Sequence, residues 1–202
     1  MERKTMKPIT LYLIRHGQSE GNVNTQVYYD KNDCDIELTA LGHSQSLGAG
    51  AELARMIDHT APRIICSAYM RAKQTASGIY SVLAEDHQPS LQEDVLLRER
   101  EWGSLRTVVD NRHLKREEHF NFYYRAQGGE SFADAYTRVV LFFQWLELRR
   151  LRNPHDDSPI VIVSHGEWIR LALMYLDGNT VEYFTVNRKN PKNCVIHTRT
   201  LS

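Results

Sequence analysis

The chain reads as an α/β protein, a three-layer α/β/α sandwich around a mainly parallel sheet. Short β-branched apolar runs alternate with longer segments of helical periodicity along its 202 residues, the pattern of strands wound with helices. No internal repeat or low-complexity linker interrupts that alternation. Three of the apolar runs also stop abruptly at polar, chemically capable residues: Arg15-His16, Ser67, and Ser164-His165-Gly166. In open α/β sheets ligands bind beyond the carboxyl ends of the strands, so these three ends are expected to converge.

The elements follow in order. Ile9 to Ile14 is a buried strand running into a loop at Arg15-His16-Gly17, and Gln18 to Glu37 is a long polar loop. Thr39 is the N-cap of a helix to about Met56, with Leu41, Leu47, Ala51 and Ala54 at helical spacing. Pro62 separates it from a strand at Arg63 to Cys66, and a helix from about Tyr69 to Ala84 carries Arg71 in its first turn. Its apolar face is Ile79, Val82 and Leu83.

An extended stretch from Ser90 to Arg98 leads into the charged run Arg98 to Gly103, and residues 104–130, without clean periodicity, read as a cap or lid. Ser131 caps an amphipathic helix to about Arg150, whose Phe142, Phe143, Trp145 and Leu146 form an apolar core cluster. Pro154 to Pro159 is turn-rich. A strand at Ile160 to Val163, helices at Glu167 to Leu176 and Val181 to Val186, and a last strand at Cys194 to Thr200 complete the chain.

The length suits one domain with one full core. Hydrophobic residues at 42% and charged ones at 25% are ordinary globular values, which argues against disorder or a membrane span. Lysine plus arginine equals aspartate plus glutamate at 25 each, so no overall field draws the chain to nucleic acid or an anionic membrane. Any anion site must be local. Three cysteines without metal-ligand spacing (Cys34, Cys66, Cys194) read as reduced thiols. The apolar run Leu11 to Ile14 is too short for a signal-peptide core, and the expected location is the cytoplasm.

The residues at the strand ends suit one chemistry. A phosphate ester needs cations and hydrogen-bond donors around its oxygens, a nucleophile in line with the leaving oxygen, and a proton for that leaving group. Arg15 and Arg71 offer planar forks matched to phosphate oxygens, and Asn22 offers a side-chain amide. His16, as a neutral imidazole, can attack phosphorus, while His165 can donate to an equatorial oxygen. Glu99 can protonate the leaving alkoxide and then deprotonate water if its pKa is raised. None of these roles calls for a metal.

LIRHGQSEGN at 13–22, SAYMRAKQTA at 67–76, LLREREWG at 96–103 and VSHGEWIR at 163–170 resemble, in that order, the motifs of the histidine phosphatase superfamily, also called phosphoglycerate mutase-like. The resemblance implies a nucleophile at His16 and a phosphate pocket of Arg15, Asn22, Arg71 and His165. Glu99 takes the place of the acid/base in an E-x-x-x-G pattern closed by Gly103. It further implies a phosphoric monoester hydrolase of the histidine acid phosphatase type, acting on a small phosphate ester with no metal or organic cofactor and no nucleic-acid or membrane partner. YYRAQGGES at 123–131 and NPKNC at 190–194 look like stretches of the small phosphatase members. The family's mutases usually carry an aromatic where Gly21 stands and have a longer C-terminal tail, so both departures favour hydrolysis.

Other residues have plainer readings. Glu101 lies two positions beyond Glu99 and faces the same way in an extended strand, so it stays open as the acid/base. Glu130 is a solvated neighbour of the Ser131 cap, and His113, Glu117 and His119 lie on a solvated helix face. Arg149, Arg150 and Arg152 complement a helix C-terminus. Tyr123, Tyr124 and Arg125 are candidates for the pocket mouth.

Overall fold

In the computed structural model residues 7–58, 60–103 and 121–201 are described. The elements in chain order are β1 (Ile9–Arg15), α1 (Glu20–Val23), α2 (Val27–Asp30), a 3-10 turn at Asp33–Asp35, α3 (Ala40–Met56), β2 (Arg63–Cys66), α4 (Met70–Leu83), β3 (Ser90–Glu93) and a 3-10 turn at Val95–Leu97. After the segment 104–120 come α5 (Phe132–Arg152), β4 (Ile160–Ser164), α6 (Gly166–Asp177), α7 (Val181–Val186) and β5 (Ile196–Leu201). The expected cap or lid falls partly outside the described residues. Its described end turns inward, where Phe122 is buried in the core beside Phe132 and Phe184.

The five strands form one sheet in the order β3-β2-β4-β1-β5. All pairings are parallel except β1 with β5, which gives the mainly parallel α/β/α sandwich that the alternation of elements predicts. Both faces are covered. Leu11 and Leu13 of β1, with Ile160 and Ile162 of β4, pack under α5 and α6 against Phe142, Phe143, Leu146 and Trp168. Tyr12, Ile14, Val161 and Val163 point the other way, onto Leu53 of α3 and Ala76, Ile79 and Leu83 of α4. The two-residue period of a strand divides the two cores.

Several expectations shift in detail. The polar stretch 18–37 contains two single-turn helices and a 3-10 turn. The stretch from Ser90 is a strand only to Glu93, because Asp94 caps a 3-10 turn by accepting from the Leu96 N–H. The last strand starts at Ile196, after Cys194 adopts a positive φ of 56°.

The larger correction concerns α3. Thr39 caps it as expected, its hydroxyl accepting from Gly42 N–H, but Leu41 and Leu47 are 52% and 49% exposed. The buried face is Gly42, Ser46, Ala49, Gly50 and Leu53, because small residues let α3 approach α4 and the loop after β1. Cβ atoms added at Gly17 and Gly42 would meet Gly42 O at 2.5 Å and Gln18 O at 2.1 Å. Gly42→Ala is therefore expected to lower stability by about 1–3 kcal/mol and to displace the loop that carries His16. A urea midpoint and a phosphatase assay on the same preparation check both effects.

Candidate active site

The sheet register assembles the centre of the site. Arg15 pairs with Ser164 across the parallel β1–β4 ladder, so the next residues out, His16 and His165, leave the sheet side by side. The His16 N–H donates to the Ser164 carbonyl at 2.9 Å, and the two imidazole centroids lie 5.2 Å apart with planes inclined at 60°. On the other side of β4, Ser67 follows β2, its N–H donating to the Val163 carbonyl at 3.0 Å. The three strand ends meet, as their abrupt endings suggest.

His16 is 4% exposed, and its Nδ1 lies 2.7 Å from the Gly17 carbonyl oxygen. A carbonyl only accepts, so this contact assigns the ring proton to Nδ1 and leaves the lone pair on Nε2. Burial, followed by the nearby Arg71 and Arg15 cations, holds its pKa well below the usual 6.5. The ring is neutral at pH 7. His165 is fully buried, and burial together with Arg71 and His16 holds its pKa well below 6.5 too. Its Nε2 lies 2.8 Å from Ser67 Oγ, which accepts from the Tyr69 N–H at 3.3 Å. With the Ser67 hydroxyl donating to Nε2, the His165 proton sits on Nδ1, a buried atom with no hydrogen-bond partner.

The cations are fixed from behind. Arg15 Nη1 donates to the Pro191 carbonyl at 2.9 Å, while its buried Nε has no partner. Arg71 is 4% exposed, its guanidinium lying 5.1 Å from the Tyr69 ring centre and its Nη1 3.0 Å from Asp33 Oδ1. Thr75, one turn after Arg71 on α4, accepts from the Gly17 N–H at 3.0 Å and donates to the Arg71 carbonyl at 2.7 Å. Asn22 Oδ1 accepts from Ser19 N–H and from Asn193 Nδ2, which leaves its Nδ2 group as the donor for a ligand. Asn193 also donates to the His16 carbonyl at 2.7 Å. The NPKNC stretch thus holds Arg15, His16 and Asn22 together.

The two candidate acids separate. Glu99 lies at the N-terminus of α6, accepting from the backbone N–H groups of Arg100 at 3.1 Å and of Glu167 and Trp168 at 3.3 Å. It is close enough to Arg15 and Arg71 to interact with both charges. Burial, and next the Glu167 carboxylate, push its pKa up to about 7. Glu101 instead accepts from the Gly103 N–H at 3.3 Å, in the turn where Gly103 takes φ +77°. Glu99, not Glu101, shares the arginine-lined centre.

The segment bearing Glu99 is tied down by groups that the sequence does not flag. Arg138 of α5 donates to the carbonyls of Leu96, Arg98 and Glu99 at 2.9–3.3 Å. Ser164 Oγ and Trp168 Nε1 donate to the Leu97 and Leu96 carbonyls. Glu130 is not a solvated neighbour: it accepts from Arg98, Arg138 and the Glu101 N–H, and these contacts lower its pKa against the opposing effect of burial. Arg125 pairs with Asp134 in the first turn of α5, and Tyr123 is 71% exposed.

His113, Glu117 and His119 lie outside the described residues. Among the described residues no group of His, Cys, Asp or Glu is placed to hold a metal ion, and no helix is long and apolar enough to cross a membrane. Cys34, Cys66 and Cys194 are free thiols.

The model of the histidine phosphatase superfamily (branch 1) matches residues 11–199. The chain belongs to that superfamily. It is 34% identical over 202 residues to phosphoglycerate mutase-like protein AT74 of Arabidopsis thaliana, covering 94% of this chain and 64% of that protein; it thus spans a little under two thirds of that relative's length. It is 30% identical over 183 residues to a 2,3-bisphosphoglycerate-dependent phosphoglycerate mutase of Mesorhizobium japonicum, covering 86% of this chain and 84% of that enzyme. Among solved structures, mycobacterial glucosyl-3-phosphoglycerate phosphatase superposes with a TM-score of 0.73 at 22% identity, covering 94% of this chain and 90% of that one. At that identity the likeness speaks for the histidine phosphatase fold.

Proposed function

We propose that this histidine phosphatase superfamily member hydrolyses a phosphomonoester through a phosphohistidine formed on His16. The observation that carries the reading is the neutral His16 ring, its lone pair on Nε2, set beside His165 and near enough to the Arg15 and Arg71 cations to interact with both. Nε2 attacks phosphorus as the ester P–O bond breaks, and Glu99 gives its proton to the departing alkoxide. Arg15, Arg71, the Asn22 amide and His165 Nδ1–H stabilise the charge on the three equatorial oxygens. Glu99, now ionised, takes a proton from a water that attacks the phosphohistidine. The P–N bond breaks, phosphate leaves, and both residues return to their starting states.

A pKa of about 7 on Glu99 suits a group that must donate in one step and accept in the next. With His16 neutral down to well below pH 6.5, the first chemical step is limited on the alkaline side by loss of the Glu99 proton. For phenyl phosphate, whose leaving group is a weak acid, kcat/KM is expected to fall above about pH 7. A rate that keeps rising to pH 9 contradicts this proton assignment.

Mutase chemistry is the second reading, favoured by the relatives that are phosphoglycerate mutases. Gly21 bears on it: a Cβ there would meet the Tyr28 hydroxyl at 2.6 Å, so the Tyr28 side chain fills space that an aromatic at position 21 would need. Phosphate release measured against interconversion of 3- and 2-phosphoglycerate separates the two, with release expected to dominate. No turnover on a broad panel of phosphate esters would instead point to a phospholigand-binding protein. A small phosphate ester in the cytoplasm is the proposed setting, in keeping with three free thiols.

A further inference from the structure

Glu99 sits in surroundings that, on donor count alone, favour its ionised form. Two backbone N–H groups at the start of α6, with that of Arg100, point at its oxygens, an arrangement that stabilises a carboxylate. The charged side chains around it are also mainly cations: Arg15 from β1, Arg71 from α4, Arg138 on its own carbonyl from α5, Arg170 from α6, and Arg100 next in sequence. Among the described residues the carboxylate that opposes them is that of Glu167, on the residue whose N–H binds Glu99 Oε2.

Glu167 is unusually well fixed. It is 4% exposed, and Arg100 grips both of its oxygens, Nε to Oε2 at 2.7 Å and Nη2 to Oε1 at 3.3 Å. Arg100 is 2% exposed, its guanidinium held between the rings of Trp102 at 4.3 Å and Phe132 at 4.2 Å, with Nη1 on the Glu130 carbonyl. A buried ion pair of this kind is weak evidence for stability, since apolar residues of like volume often serve as well. Its location, one residue from Glu99 on one side and hydrogen-bonded to Glu99 on the other, gives it a different use.

We propose that Glu167, clamped by Arg100, is a positioning residue that sets the protonation state of Glu99. The inference rests on Glu99 being the acid/base of the phosphomonoesterase reading. Added to burial, the negative charge held by the clamp opposes the cations and amide dipoles that favour ionisation, and so helps the carboxyl group retain the proton needed by the leaving group near neutral pH. Because Arg100 screens Glu167, the sign of the effect depends on which member of the pair is removed.

That dependence is the test. The Glu99 carboxyl carbon is followed by NMR in protein labelled with 13C at glutamate carboxyls, its resonance assigned by its loss in Glu99→Gln. Glu167→Gln keeps one acceptor oxygen for Arg100, gives up the second, and leaves the guanidinium charge unbalanced; the Glu99 midpoint is expected to fall by about one pH unit, a tenfold loss of proton affinity. Arg100→Gln is expected to raise it, and the double variant Arg100→Met with Glu167→Met to leave it below wild type by less than Glu167→Gln alone does. The alkaline limb of kcat/KM on phenyl phosphate is expected to move with each midpoint.

If only one single variant folds, the direction of its shift still decides. An unmoved midpoint or a shift of the opposite sign in a single variant, or a double variant at or above the wild-type midpoint, overturns the proposal. Full turnover in Glu99→Gln would instead sink the acid/base assignment while leaving the titration result in place.

Discussion

Replacing His16 with alanine is expected to lower kcat on aryl phosphates by roughly four orders of magnitude while leaving the protein folded and able to bind inorganic phosphate. The side chain's hydrogen bond runs to its own neighbour, Gly17, so its removal frees no distant group. Arg15 and Arg71, the cations proposed to hold phosphate, stay anchored through Pro191, Asp33 and Thr75. Loss of the nucleophile with phosphate affinity retained is the signature of a covalent step rather than of a structural histidine. Stopped-assay kinetics, with phosphate binding followed by calorimetry, read the two quantities separately. Undiminished turnover would rule out His16 as the carrier.

The second large effect is expected at Glu99, and it has two parts of opposite sign. Glu99→Gln removes the proposed proton donor, so turnover of phenyl phosphate is expected to fall by roughly 10²–10⁴-fold. p-Nitrophenyl phosphate, whose leaving group needs little help, is expected to lose less in the transfer step. Stability moves the other way. The Glu99 pKa is raised from 4.5 to about 7 on folding, so the folded state keeps a proton that the unfolded chain releases. The favourable contribution of that retained proton is full below pH 4.5 and is lost as pH rises through 7, leaving a cost on the order of 3 kcal/mol at pH 8. An uncharged glutamine does not bear it. The variant is expected to melt several degrees higher than wild type at pH 8, the gain shrinking as pH drops toward 5. Equal melting temperatures at pH 8 would mean that the carboxylate is not strained by its surroundings.

The strands, most helices and the meeting of the strand ends were legible because they rest on local signals. β1, β2 and β4 are apolar runs that stop at polar, chemically capable residues, and helix caps such as Thr39 and Ser131 act within three residues. Once β1 and β4 are neighbours in register, His16 and His165 have no freedom to be far apart. The face of α3 was not legible in this way. Its buried residues include Gly42 and Gly50, and close approach of small residues leaves no trace in hydrophobic periodicity, whereas the exposed Leu41 and Leu47 do.

The support around the acid was hidden for a different reason. Arg100 meets Glu167 across 67 residues and Arg138 meets Glu99 across 39; nothing local distinguishes these from surface charges until the fold pairs them. Asp33, which faces Arg71, reads only as one acid in a polar loop. The choice between Glu99 and Glu101 likewise turned on which of them reaches the start of α6, a question of backbone course rather than of residue type.

The most direct test is to trap the intermediate. Rapid quenching during turnover of an aryl phosphate, followed by digestion and mass spectrometry at alkaline pH, is expected to find one phosphoryl group on His16, labile to acid and stable to base, and none in the His16→Ala variant. A phosphoryl group on another side chain, or full turnover with no phosphoenzyme at any time point, would contradict the mechanism.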